Sequence, residues 1–163
     1  MNLVNYSLTG KYDELSKYGD KLYEMGKLID WESFRPILSD LYKNNTDNGG
    51  RPNIDPVTMV KILFLQSIYD LVDEEMEKQL HDRISFMHFL GFPDIIPDSR
   101  TVWFFRERLS STGKDKMIWK SIWEQFDKKG ITIKKGTVQD ATYIESDPGK
   151  HGKRLKKGQR KRR

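Results

Sequence analysis

The carboxylate of Asp140 is the side chain in this sequence best suited to binding a catalytic metal ion. It lies between Val138 and Thr142 in ITIKKGTVQDATYIES, an alternating, β-branched segment that predicts a strand. A carboxylate is disfavoured within a strand and costly to bury unless it is paired or bound to metal. Phosphoryl transfer uses several carboxylates to hold two divalent ions. Spacing alone leaves open, and favours, the alternative of an exposed aspartate on an edge strand.

A second set of candidate residues recurs at intervals of four. Arg100, Phe104 and Arg108 fall on one side of a predicted helix from Ser99 to Ser110, with Thr101 beside them. The opposite side is apolar and carries Val102, Phe105 and Leu109. As the recognition helix of a helix-turn-helix, it would bring Ser99, Arg100 and Thr101 to base edges and Arg108 to a phosphate. Periodicity gives equal support to a solvated face in an ordinary bundle.

Residues 148–163 form a basic tail with nine Lys or Arg and no acid. Its central cations are Lys153, Arg154, Lys156 and Lys157. Blocks of like charge are usually disordered and bind polyanions, so we predict a disordered tail with salt-dependent contacts to phosphates. The preceding residues carry 20 basic and 24 acidic side chains, so the positive charge is a property of the tail. A linker that only aids solubility is the alternative.

Several classes of protein are disfavoured by composition. The sequence has no cysteine, which excludes disulfides and thiolate metal sites and fits a reducing cytoplasm. Its three histidines (His81, His88 and His151) lack zinc-ligand spacing. The N-terminus has no apolar stretch of signal-peptide length, and no segment is apolar for long enough to span a membrane. We therefore expect a cytoplasmic, nucleoid-associated protein without membrane contact.

Helical patterns precede the candidate strand. Tyr12, Leu15, Tyr18 and Leu22 predict helix within residues 11–43, with Asp30 as the N-cap of a second helix. The sequence NNTDNGGRPN then indicates a loop or a boundary.

The central helices have clear start and stop signals. Asp55 and Pro56 are suited to begin a helix that is apolar on most sides and hence buried. Asp73 opens an acidic helix that turns Met76 and Leu80 inward. Further helices are predicted to end at Gly91 and to restart at Asp98 or Ser99. Trp119 and Trp123 share the apolar stripe of a last helix, which favours a place in the core over a base-stacking platform.

These patterns predict a mainly α-helical bundle with a helix-turn-helix-like segment, followed by a short β segment that begins a new domain. The predicted divisions are N-terminal helices (1–43), a helical, DNA-binding domain (55–129), a β segment (130–147) and the basic tail (148–163).

Three stretches in order resemble insertion-sequence transposases with an RNase H-like DDE catalytic domain, of the insertion-sequence four/five class. They are DPVTMVKILFLQSIYDLVDEEMEKQLHDRISFMHFLGF, PDSRTVWFFRERL and GTVQDATYIESD, within residues 55–147. The resemblance implies that residues 55–109 bind the terminal inverted repeats of the element. It also implies that Asp140 is the first Asp of a DDE triad, which with a second Asp and a Glu binds two Mg²⁺.

The sequence departs from this family after Asp140. Glu145 and Asp147 lie too close to Asp140 to match the family's later carboxylates. One carboxylate cannot build a two-metal site, and one or two strands cannot form the sheet that would bury it. We therefore expect an incomplete RNase H-like domain in a truncated transposase or first-frame product, inactive alone. Mg²⁺ is expected only in the completed site.

Two other functions fit the same residues. A free-standing DNA-binding regulator could inhibit the intact transposase by occupying its DNA ends or by forming mixed oligomers with it. A helical interaction module with a solubilising tail would have no specific DNA target.

Deletion of residues 148–163 separates these alternatives. We expect the deletion to weaken DNA binding and reduce its salt dependence, because phosphate contacts are lost, without abolishing it. Fluorescence anisotropy over a salt series measures both effects. Complete loss of DNA binding would contradict the helix-turn-helix hypothesis.

Overall fold

The computed structural model describes residues 3–42 and 53–131. These residues are helical, and they contain no strand. The α-helices in chain order are α1 (Leu3–Ser16), α2 (Lys21–Lys27), α3 (Arg35–Leu38), α4 (Pro56–Tyr69), α5 (Asp73–Asp82), α6 (Ile84–Leu90), α7 (Ser99–Ser111) and α8 (Lys114–Lys128). A 3-10 helix, Trp31–Phe34, precedes α3. Asp140, most of the predicted β segment and the basic tail lie outside the described residues.

Helix α4 lies at the centre of the fold, as its sequence predicts. Asp55 Oδ2 accepts a hydrogen bond from the backbone N–H of Thr58 (3.2 Å), and Pro56 occupies the first turn, where it needs no N–H partner. The helix contacts α3, α5, α6 and α7. It ends at Asp70, which adopts a left-handed conformation with φ of 51°.

The helices that follow α4 also match their predicted boundaries. Met76 and Leu80 of α5 are fully buried, while its first turn carries three acids at the positive end of the helix. Helix α6 ends at Gly91, whose φ of 81° is readily adopted by glycine. Asp98 caps the start of α7, because its Oδ1 accepts a hydrogen bond from the backbone N–H of Thr101 (2.7 Å).

The N-terminal segment differs from its prediction because the helix breaks after Ser16. Asp20 then caps α2 by accepting from the N–H groups of Leu22 and Tyr23 (2.9 and 3.2 Å). The break puts Tyr18 outside either helix, where it is 90% exposed. Asp30 occupies the N-cap position of the 3-10 helix, but its side chain makes no capping hydrogen bond.

One apolar core joins the segments on either side of residues 43–52. Phe34 and Leu38 are fully buried in the same cluster as residues of α4 to α8. Helix α8 also reaches the N-terminal segment through Lys114, which donates to the carbonyl of Ile37 (2.6 Å) and pairs with Asp40. The described helices therefore share a core, and the division at residue 43 stays a prediction.

An aromatic cluster holds α2 close to α6. Trp31 packs edge-on against Phe64 and Phe89, with ring centroids 5.1 and 5.5 Å away, and its indole N–H donates to the carbonyl of Gly26 (3.0 Å). A Cβ at Gly26 would lie 2.8 Å from the Phe89 ring. This close approach requires glycine.

Two glycine substitutions test this packing. Gly26→Ala should lower the free energy of unfolding by about 1–3 kcal/mol, because the Phe89 ring must move. Gly10→Ala, in α1 where an added Cβ meets nothing within 4 Å, should raise it by about 0.5–1 kcal/mol through helix propensity. Urea unfolding measures both. Equal effects of the two changes would refute the packing argument.

Candidate nucleic-acid interface

A partly buried polar cluster of Arg106, Asp73 and Gln66, which we call the Arg106 cluster, fixes the position of α7. Arg106 donates to both carboxylate oxygens of Asp73 in α5, at 3.1 Å from Nη1 and at shorter range from Nη2. Its Nη2 also donates to Gln66 Oε1 of α4 (2.9 Å), and Gln66 Nε2 donates to Asp73 Oδ1 (2.8 Å). Gln66 is the one polar residue buried in the described core. The cluster therefore joins three helices through directional, charge-assisted bonds.

The cluster controls the ionisation of Asp73. Burial by itself raises the pKa of this carboxyl, but hydrogen bonds from Arg106 and Gln66 favour the charged form more strongly. The net result is a pKa below the usual value for aspartate.

Two carboxylates occupy the positive end of α7. The backbone N–H of Ser99 donates to Glu77 Oε2 (2.7 Å), and Asp98 accepts from Thr101. These N–H groups are thus already engaged, and a phosphate approaching this end would meet two negative charges. The geometry favours contact along the side of α7 over contact at its end.

The exposed side of α7 combines arginines with aromatic rings, and we call Arg100, Trp103, Phe104 and Arg108 the α7 surface. Trp103 and Phe104 are 45% and 48% exposed, and their rings pack edge-on at 4.9 Å. The guanidinium of Arg100 lies 5.6 Å from the Phe104 ring centroid, within the range of a cation–π contact. Such a surface suits a negatively charged partner with flat aromatic groups.

Arg108 connects the α7 surface to the N-terminal segment. Its guanidinium carbon lies 5.4 Å from the ring centroid of Tyr42, which packs in turn against Phe105 at 6.4 Å. Burial raises the pKa of Tyr42, and nearby Arg108 partly opposes that effect. Beside these residues lies a cleft of about 340 Å³. Its lining residues are Tyr42, Asn53, Thr101, Phe104, Phe105 and Arg108, and we call it the Tyr42 cleft.

The structure brings together part of the predicted site. Arg100, Phe104 and Arg108 share the exposed side of α7 as their spacing predicts, whereas Ser99 and Thr101 are half-buried. The predicted DNA contacts of these five residues stay predictions. Asp140 and the tail cations Lys153, Arg154, Lys156 and Lys157 lie outside the described residues.

Sequence reasoning missed two groups at this surface. Trp103 could have been found, because it neighbours Phe104 and falls outside the apolar positions of α7. Tyr42 could not, because its contact with Arg108 joins residues far apart in the chain.

The two tryptophans of α8, Trp119 and Trp123, are not both packed into the core. Trp119 is half-buried and stacks on Phe64 at 6.4 Å, but Trp123 is 45% exposed. The core-facing positions are Ile118, Ile122 and Phe126. Residue 123 lies about 100° around the helix from residue 122, at the edge of this stripe. The interpretation of Trp123 as a core residue is therefore wrong.

Neither a metal site nor a membrane span is found in the parts of the chain that the structure describes. Within residues 3–42 and 53–131, no three carboxylate or histidine side chains are grouped to hold a metal ion. No helix there combines the length and hydrophobicity needed to cross a bilayer.

Comparison with known families identifies the helical region. The family model described as Transposase domain (DUF772) matches residues 11–108. The match includes Tyr42 and the whole of the α7 surface, and it ends at Arg108. No solved structure matches the chain.

The Arg106 cluster makes stability depend on pH. The pKa of Asp73 is lower in the folded protein than in the unfolded chain, where it is about 3.9. The charged carboxylate therefore stabilises the fold fully above the unfolded-state pKa, and this stabilisation is lost as the pH falls through the folded-state pKa. Asp73→Asn should therefore destabilise the protein by about 1–3 kcal/mol at pH 7 and by less at pH 3. Urea unfolding at both pH values measures this difference.

Glu74→Gln is the matched control, because Glu74 is an exposed acid in the same turn of α5. It should change stability little at either pH. A destabilisation by Asp73→Asn that is the same at pH 3 and pH 7 would contradict the role given to its charge.

Proposed function

Because the chain belongs to the family described as Transposase domain (DUF772), we propose that its helical part binds the ends of an insertion sequence. The target would be the terminal inverted repeats, and the contact would be made by the α7 surface. The observation that carries the proposal is the line of Arg100, Phe104 and Arg108 on the exposed side of α7, directly opposite the residues that pack into the core.

The dimensions of this line suit duplex DNA. Arg100 and Arg108 are eight residues apart, which corresponds to about 12 Å along a helix axis. The major groove is wide enough to admit an α-helix, and for a helix lying in it the 12 Å runs along the groove. Two cations at this separation can reach phosphates that border the groove, while Phe104 lies between them. This arrangement supports a helix-turn-helix-like docking in which α5 and α6 precede the recognition helix.

Several acidic side chains lie near α7, and some of them are already paired with groups of the protein. The repulsion of DNA is therefore weaker than the number of acids alone would predict. Asp73 is paired with Arg106, and Glu77 accepts from Ser99. Glu107 lines a different groove, bordered by α4, α5, α7 and α8. Two acids of α5, Asp73 and Glu77, are thus engaged by groups of α7, which supports the approach of a polyanion to the α7 surface.

We also propose that Asp140 is the first carboxylate of a DDE site of the insertion-sequence four/five class. Support comes from its position in an alternating, β-branched segment and from the resemblance of that segment to the catalytic strand of the family. In a complete site, Mg²⁺ would supply positive charge at the reacting phosphate. Asp140 would serve only to hold the ion.

A regulatory role is the second candidate. The described helices share a core to which the predicted strand need not contribute, so the helical part could bind element ends as an independent inhibitor of the intact transposase. Co-expression with an intact transposase would then reduce transposition, through occupied ends or mixed oligomers. An unchanged transposition frequency would favour the first candidate.

Charge removal on α7 tests the DNA-binding proposal. Arg100→Ala and Arg108→Ala should each weaken binding to a terminal-repeat duplex. Each should also reduce the slope of log K against log salt concentration by about 1, because one phosphate contact is lost. Fluorescence anisotropy at four salt concentrations gives both values.

Lys120→Ala is the matched control, because this side chain is 79% exposed on α8, away from the α7 surface. It should leave affinity and salt slope nearly unchanged. The proposal fails if the two arginine variants bind as tightly as the parent chain, or if Lys120→Ala has an equal effect.

A further inference from the structure

The Tyr42 cleft is lined by aromatic and hydrogen-bonding side chains, which contact with a paired duplex does not require. Its lining includes the half-buried Tyr42 and Phe104, which is 48% exposed. Thr101 and Asn53 add a hydroxyl and a side-chain amide to the lining. The cleft is therefore bordered by flat apolar surfaces and by groups that can both donate and accept hydrogen bonds.

The volume of the cleft suits a single ring system. At about 340 Å³ it lies near the lower end of the range of about 300–1,000 Å³ that small-ligand pockets span. Arg108, held against Tyr42, borders the cleft with a positive charge. Charge and size together favour a flat group that carries a phosphate.

We propose that the Tyr42 cleft receives one unpaired nucleobase of the DNA that lies along α7. The inference rests on the proposed DNA-binding function and adds a preference for DNA in which a base has left the helix. The base would stack on Phe104, since aromatic side chains stack on any base and stacking needs no particular sequence. Thr101 and Asn53 would meet the base edge, and Arg108 its phosphate.

The neighbouring side chains support this arrangement. Trp103 packs edge-on against Phe104 at 4.9 Å and braces it from the side, and Arg100 lies over the same ring. With Arg100 over one face of the Phe104 ring, a base would stack on the other face. Because unpaired and mismatched bases cost least to extrude, DNA with an already unpaired base should bind most tightly.

The test compares three duplexes of one sequence with the full 163-residue chain. The first duplex is fully paired, the second has one unpaired adenine, and the third has an abasic nucleotide at that position. Fluorescence anisotropy should show about tenfold tighter binding to the second than to either of the others, equivalent to about 1.4 kcal/mol.

Substitutions assign the preference to the cleft. Phe104→Leu should bring the ratio of the affinities for unpaired and paired DNA to about one, whatever its effect on the affinity for paired DNA, and Phe104→Tyr should keep the tenfold ratio because it keeps the ring. Trp123→Leu is the matched control, since Trp123 is exposed to 45% on α8 and does not line the cleft. Thermal unfolding of each variant shows that its fold is intact.

Four results would overturn the inference. Equal binding to the unpaired and abasic duplexes would reject it while leaving the DNA-binding proposal in place. The same rejection follows if Phe104→Leu keeps the preference or if Trp123→Leu removes it. Failure to bind any of the three duplexes would reject the inference together with the DNA-binding proposal.

Discussion

The hydrogen bonds from Arg106 to Asp73 and Gln66 determine how α7 is rotated about its own axis. Arg106 lies on the same side of the helix as Val102 and Leu109, so a polar and an apolar contact impose one orientation. Apolar packing tolerates small rotations, whereas a bidentate guanidinium–carboxylate pair does not. The exposure of Arg100, Phe104 and Arg108 follows from this constraint.

The same constraint shapes the electrostatics of the helical region. The charge of Asp73 is directed to Arg106, and the positive end of α7 is satisfied by Glu77 and Asp98. The protein thereby carries many acids near α7 and still presents arginines on its outer side. The proposed interaction with DNA depends on this separation of charge, since repulsion at the end of the helix directs a duplex toward its side.

Local sequence patterns predicted the parts of the fold that local physics determines. The start of α4 at Asp55 and the end of α6 at Gly91 depend on capping chemistry within a few residues, and both are confirmed. The break after Ser16 was missed because apolar spacing continued across it, although Asp20 and Gly19 mark a new helix start. The exposure of Trp123 depends on which neighbours α8 meets, and periodicity alone does not contain that information.

For the candidate site, spacing predicted the shared side of Arg100, Phe104 and Arg108, but it could not predict the role of Tyr42. That residue reaches Arg108 only through the packing of distant segments. The predicted contacts with DNA and the role of Asp140 as a metal ligand stay predictions.

The central claim is that DNA lies along the side of α7, and amide chemical shifts test it most directly. A ¹⁵N-labelled chain titrated with a terminal-repeat duplex should show its largest helical shift changes at residues 100–108 and at Tyr42. Helices α1 and α8 should change little. Changes centred on α1 or α8, with residues 100–108 unaffected, would contradict the account.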